Sequence, residues 1–365
     1  MKLELAWRFP QLDGAWFEIA HLRETPAGTI GIAFDPRTGA TVAFNLETGA
    51  VRWSQPARTD AQRFRSLAAG PATVLRSCAL DDDTWRLESR DLASGEITWS
   101  VEVEARRIGR LFANQVSFFA MTAQNGRFVL LPIAQSDGTV AKSRLLDRGR
   151  GMVGPDGTRA WTRDRIGVTE VEIASGQRWP IRLGRGGVMA AGPKCLVTTL
   201  GPGRAAFVTG GELRWSYEVP PRDLTVLAEQ DGLELDAGER DVWPPAVGRG
   251  VVDASVDLSG NVYLPDLNGS LHALRLADGA PLWTARSQHY PSSRTLAVPA
   301  LLRHAEHAYV AWPASDECVY LVDAETGQTA ATFELERPFE AVASASSDPG
   351  FVVLPNVGGL RVESA

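Results

Sequence analysis

Cysteine is scarce in this chain of 365 residues: there are three, at 78, 195 and 318, and no two are adjacent. An odd, widely spaced set does not build a disulfide framework and suits free thiols in a reducing compartment. Long apolar runs are missing as well, and without a run of about 18 such residues no membrane-crossing helix is read. Glu4, Arg8 and Asp13 interrupt the region where a signal peptide would carry its apolar core, so no leader is read and a cytoplasmic location is expected. Clustered positive charge is lacking too. Against 44 Asp and Glu there are 37 Lys and Arg, and the net charge of −7 argues against a nucleic-acid partner. The short basic runs Arg106-Arg107-Ile108-Gly109-Arg110 and Arg148-Gly149-Arg150 are read as solvated loops. Helical periodicity is nearly absent, and no Gly-x-Ser-x-Gly elbow offers a nucleophile.

What the chain does have is a repeat. Leu46-Glu47-Thr48-Gly49-Ala50-Val51-Arg52-Trp53, Leu92-Ala93-Ser94-Gly95-Glu96-Ile97-Thr98-Trp99 and Leu276-Ala277-Asp278-Gly279-Ala280-Pro281-Leu282-Trp283 each read as strand, tight Gly turn and Trp-bearing strand. Upstream of the third copy, alternating apolar residues flank Asn268-Gly269, a strong hairpin signal because both residues tolerate positive φ. Each unit is therefore an antiparallel meander of three or four strands. Such a meander cannot cover both of its faces, and stacking copies around an axis supplies the missing core. The 35 Gly and 22 Pro supply turns, and 44% hydrophobic residues supply the core.

Weaker copies surround Gly138, Gly176, Gly210 and Gly327. From Gly49 to Gly210 these glycines follow one another at 34 to 46 residues, but Gly210 and Gly279 stand 69 apart, which reads as one blade plus an insertion. The expected fold is an all-β closed β-propeller of four-stranded antiparallel blades, one domain over 1–365. Outer strands counted at Trp7, Trp53, Trp99, Arg144, Trp179, Trp215, Trp283 and Thr332 give eight blades. Seven is the alternative if the unit around Gly138 belongs to a neighbour. Residues 1–10 read as the outer strand of a closing blade whose inner strands lie within 340–365, which removes the exposed edges of an open ring. Trp7, Trp53, Trp99, Trp179, Trp215 and Trp283 share one repeat position and are expected to pack between blades.

The residues Asn268-Gly269-Ser270-Leu271-His272-Ala273-Leu274 through Trp283 resemble the PQQ-like, quinoprotein-type propeller repeat almost position for position. Val319-Tyr320-Leu321-Val322-Asp323-Ala324-Glu325-Thr326-Gly327 is a second match. That resemblance implies a propeller throughout. It implies no quinone here, because the dehydrogenases of that family are much longer and carry an adjacent Cys pair beside the cofactor, with calcium ligands that have no counterpart in this chain. The family's non-enzymatic role, assisting outer-membrane protein assembly as an exported lipoprotein, calls for a signal and a lipid-bearing Cys that are not read here.

No other constellation promises chemistry. Gly201-Pro202-Gly203-Arg204-Ala205-Ala206 fits a dinucleotide pattern but leads into a strand rather than a helix, so it reads as a hairpin loop. His304 and His307, three apart on a strand, would point to opposite faces and hold no metal. Asp81-Asp82-Asp83 lacks calcium-loop spacing and reads as a solvated turn. The distinctive non-repeat feature is the acidic insertion at about 222–242, in which Asp231, Glu234, Asp236, Glu239 and Asp241 precede Trp243. It is the candidate partner surface, since long loops on a rigid scaffold carry recognition. The expected function is a non-catalytic scaffold, monomeric by itself, that binds another protein and uses no cofactor or metal. The alternative is small-molecule or sugar binding, or an enzymatic activity, in the axial funnel.

Overall fold

Segments with apolar residues on both strand faces, cut by short polar turns, form meanders whose two faces need neighbours. The computed structural model describes residues 1–9, 17, 19–25, 28–35, 37–56, 64–124, 127–146, 150–154, 156–163, 166–184, 188–192, 194–201, 204–220, 255–256, 260–266, 269–289, 299–304, 306–315, 318–335, 344–346, 350–354 and 357–363. Among the described residues there are 32 strands and no helix, and the strands form eight four-stranded sheets.

The chain opens with β1 (Lys2–Arg8). Blade 1 follows as β2 (Ile19–Thr25), β3 (Gly28–Phe34), β4 (Thr41–Asn45) and β5 (Val51–Gln55). Blade 2 is β6 (Phe64–Ala69), β7 (Thr73–Ala79), β8 (Thr84–Asp91) and β9 (Ile97–Glu104). Blade 3 is β10 (Arg107–Ala113), β11 (Ser117–Gln124), β12 (Arg127–Ala134) and β13 (Arg144–Leu145). Blade 4 is β14 (Arg150–Val153), β15 (Arg159–Arg163), β16 (Gly167–Glu172) and β17 (Arg178–Arg182). Blade 5 is β18 (Val188–Gly192), β19 (Cys195–Gly201), β20 (Arg204–Thr209) and β21 (Glu212–Glu218). Blade 6 is β22 (Ser255–Val256), β23 (Asn261–Pro265), β24 (Ser270–Arg275) and β25 (Pro281–Arg286). Blade 7 is β26 (Ala300–His304), β27 (His307–Ser315), β28 (Cys318–Asp323) and β29 (Thr329–Glu334). Blade 8 takes β30 (Ser344–Ser346), β31 (Phe351–Leu354) and β32 (Gly358–Glu363) from the far end of the chain and completes them with β1.

That completion closes the ring as expected: Leu3 pairs with Val362, Leu5 with Leu360 and Trp7 with Gly359. The unit around Gly138 is a blade of its own with a two-residue outer strand, so the count is eight and not seven. The first strands of neighbouring blades lie side by side, β2 beside β6 and β30, and β6 beside β10, so these strands surround the axis.

Eight hydrophobic clusters fill the eight joints between successive blades. Alternation along one strand serves two of them. In β3, Ile30, Ile32 and Phe34 meet Leu67, Val74 and Cys78 of blade 2, while Ala33 faces Phe351 and Val353 of blade 8. Each fully buried Leu, Ile or Phe contributes about 1.5–3 kcal/mol, so two covered faces are what make a single blade tenable. The turns between first and second and between third and fourth strands gather at one end of the ring, the turn end. Crossovers between blades leave from the other.

Candidate functional site

The repeated Leu, Gly and Trp build one joint. In blade 2, Asp91 Oδ1 accepts from the N–H groups of Ala93 and Ser94 at 2.9 and 2.8 Å, and the Gly95 N–H donates to the Asp91 carbonyl. Gly95 sits at φ +75°, and a Cβ there would stand 2.7 Å from the Trp53 ring of blade 1. The position therefore demands glycine twice, for conformation and for space. The indole N–H of Trp53 donates to the Leu92 carbonyl at 2.9 Å. The same bond recurs from Trp7 to Leu46, Trp99 to Gln135, Trp215 to Leu276 and Trp283 to Ala324, at 2.6–2.9 Å. Trp179 lies against Gly211 with the Arg159 guanidinium 4.5 Å above its ring, and Glu170 accepts the Gly211 N–H at 2.9 Å. All six Trp thus pack between blades, as their shared position predicts. Where the repeat lacks Trp, Arg144 reaches across from blade 3 and donates to the carbonyls of Ile173 and Ala174 at 2.7 and 2.6 Å.

A second regularity escaped the sequence reading. The outer strand's register slips just before Trp53, Trp99, Trp215 and Trp283. Val51 thereby pairs with Phe44 and Trp53 with Ala43, so two residues that a regular strand would place on one face point to opposite ones. Trp53 turns into the joint, and Val51 is left outside. Val51, Ile97 and Leu213 stand two residues before their Trp and are 48%, 54% and 44% exposed. Leu282 and Val140, at the starts of their own outer segments, and Val116 in a turn of blade 3 are exposed as well. All six belong to the turn end, which carries a broken apolar rim.

Charged groups inside the walls serve one another. Glu88 accepts from Arg76 Nε at 2.9 Å and Arg90 Nε at 2.7 Å, and Arg90 also donates to the Gly95 carbonyl. Burial pulls the Arg76 guanidinium below its ordinary range. Between blades 5 and 6, His272 Nε2 meets Asp266 Oδ2 at 2.8 Å, and its Nδ1 lies 3.3 Å from the Tyr217 hydroxyl and 3.1 Å from Thr284 Oγ1. Asp266 Oδ1 is occupied by the Ser270 N–H, and burial with the Asp266 charge pushes the Tyr217 phenol up. This cluster ties the strands on either side of the longest crossover. Among the described residues no group of three or more His, Cys, Asp or Glu is placed to hold a metal.

The candidate partner residues Asp231, Glu234, Asp236, Glu239, Asp241 and Trp243 lie outside the described residues. Gly201 and Arg204 pair across the β19–β20 hairpin, as the loop reading requires. Asp81 accepts from the Asp83 and Thr84 N–H groups, so that acidic run is a turn. Two readings change. His304 and His307 belong to two strands and face each other across a hairpin, rather than lying along one strand. Arg107-Ile108-Gly109-Arg110 is no loop but the start of the innermost strand of blade 3, and Arg150 opens that of blade 4.

No curated protein sequence matches this chain. Among solved structures, BamB from Moraxella catarrhalis is similar over 94% of this chain and 96% of its own, at 11% identity and a TM-score of 0.55. The computationally designed Ika8 protein is similar over 98% and 99%, at 10% identity and 0.65. A europium-containing methanol dehydrogenase is similar over 98% of this chain and 85% of its own, at 12% identity and 0.61. At such identities the likeness is one of fold, shared by an enzyme and non-enzymes alike. A family model described as outer membrane protein assembly factor BamB matches residues 28–231, more than half of the sequence, and with the repeat joint and the eight-bladed ring it places this chain in the BamB family of β-propellers.

Proposed function

We propose that this protein is a non-catalytic scaffold that binds another protein through the turn end of its ring. The observation that carries the reading is the apolar rim: Val51, Ile97 and Leu213 are exposed at one repeat position on three blades, turned outward by a recurring bulge. Exposed apolar side chains held on a rigid frame favour a protein surface as partner. The family's description as an assembly factor supports work done through contacts with proteins. Against a catalytic role stand the polar clusters, whose hydrogen bonds are spent on joining strands and blades. Burial pushes the Cys195 thiol up to about 11, far from a nucleophile's range. Three buried, unbridged cysteines support a reducing compartment, the cytoplasm. By itself the protein is a monomer, since the closed ring leaves no blade to be completed by a second copy.

The test is affinity recovery with the tagged full chain and with V51E/I97E/L213E, three surface changes each worth within about 0.5 kcal/mol of stability. Recovery of a stoichiometric protein by the parent, lost in the triple variant at unchanged melting temperature, is the expected result. Equal recovery by both would move the partner surface off the rim.

A further inference from the structure

The turns at the turn end are acidic beyond the balance of the chain. Among the described residues, those joining third to fourth strands carry five exposed carboxylates, Glu47, Glu96, Asp137, Asp278 and Glu325, and one lysine, Lys142. Those joining first to second strands add Asp156 and Glu306 against Lys194. Neither set holds an arginine, although the whole sequence has 37 Lys and Arg against 44 Asp and Glu.

The repeat places several of these charges beside the apolar rim. Glu47, Glu96 and Asp137 each stand within four residues before an exposed apolar side chain, Val51, Ile97 and Val140. Asp278 precedes Leu282 in the same way, but Arg275 pairs with it at 2.9 Å. No ion pair engages Glu47, Glu96 or Asp137 among the described residues. The Thr139 N–H and hydroxyl hold the Asp137 carboxyl below its ordinary range, so its charge persists at neutral pH.

Contacts between blades join the three pairs into one arc. The Trp53 ring of blade 1 lies against Gly95, next to Glu96, and the Trp99 ring of blade 2 lies against Gly138, next to Asp137. Within blade 3 the Gln135 N–H donates to the Val116 carbonyl at 3.3 Å. That bond sets Val116, 71% exposed, beside the turn that bears Asp137.

We infer that the arc over blades 1 to 3 docks a basic amphipathic segment of another protein. Lysines or arginines of that segment face Glu47, Glu96 and Asp137, and its apolar side chains cover Val51, Ile97 and Val116. Charge complementarity names the occupant. Apolar contact alone admits any partner, whereas this field attracts a cationic one and opposes nucleic acid and anionic lipid. The inference rests on the reading of the turn end as a protein-binding surface and adds the chemistry of the partner.

Fluorescence anisotropy of the full chain with two labelled amphipathic peptides, one of Leu and Lys and one of Leu and Glu in the same pattern, tests it. The Leu/Lys peptide should bind saturably and more weakly as salt rises, and the Leu/Glu peptide should bind at least about tenfold more weakly. E47Q/E96Q/D137N should weaken the Leu/Lys peptide at least about tenfold, and V51S/I97S/V116S should weaken it as well. D82N/D83N/E102Q removes the same charge from the opposite-end turn and the outer strand of blade 2, and should leave binding unchanged. Should a triple variant unfold, E47Q/E96Q and V51S/I97S make the comparison. Equal loss in both acidic variants would reduce the effect to net charge and defeat the inference. Equal binding of the two peptides, lost in V51S/I97S/V116S, would also defeat it while leaving the rim as a protein-binding surface. No saturation below about 1 mM, or an affinity that neither rim variant alters, would overturn it.

Discussion

At the scale of single residues, His21 shows how position overrides intrinsic chemistry. Burial, helped by Arg23, pushes its pKa down to about 4, so the fold holds the imidazole neutral. In the unfolded chain the same group takes up a proton near pH 6.5. The folded state therefore loses stability as pH falls from 6.5 toward 4, by up to about 3 kcal/mol from this group. Urea denaturation at pH 7.5 and pH 4.5 should show a larger acid loss for the parent than for H21Q, and parallel losses would remove His21 as the cause. Such a shift is invisible in sequence, where His21 is one of 5 histidines. Gly95 and Trp53 were legible because a repeat multiplies its own signal. Arg107 and Arg110 were not: a slipped register breaks the alternation that identifies a strand, and exposed arginines then look like loop residues. Val51, Ile97 and Leu213 offered a signal that passed unread, an apolar residue at constant distance before Trp.

Between elements, the unit of cohesion is the outer strand of one blade seated on the turn of the next. Seven joints carry it, six through Trp and one through Arg144. The eighth outer strand bears Thr332, which is exposed, and blade 8 offers it no turn, because β32 and β1 are not joined by a hairpin. The missing Trp thus reflects a missing acceptor. W53A should cost about 2–4 kcal/mol through lost packing and a lost indole hydrogen bond, while T332A should stay within about 0.5 kcal/mol. Urea unfolding of the two variants checks the contrast, and a costly T332A would contradict it. Thr332 was identified from spacing as an outer-strand residue, yet only the topology explains it.

For the whole molecule, closure by β1 is the decisive contact. Deleting residues 1–8 bares the edge of β32 and uncovers Leu360 and Val362, so the truncated protein should self-associate with rising concentration and melt at lower temperature. Light scattering after size exclusion checks this, and a monomer with unchanged melting would show that the ring holds without its first strand. The same closure has a mechanical side. Lys2 lies opposite Glu363 and Arg8 opposite Gly358, so tension between the outer ends of β1 and β32 loads their hydrogen bonds one pair after another instead of all at once. The ring therefore resists pressure spread over its faces through eight cores, but under a pull on this one seam it opens like a zip between two strands of a single blade, while Trp7 keeps β1 docked on blade 1.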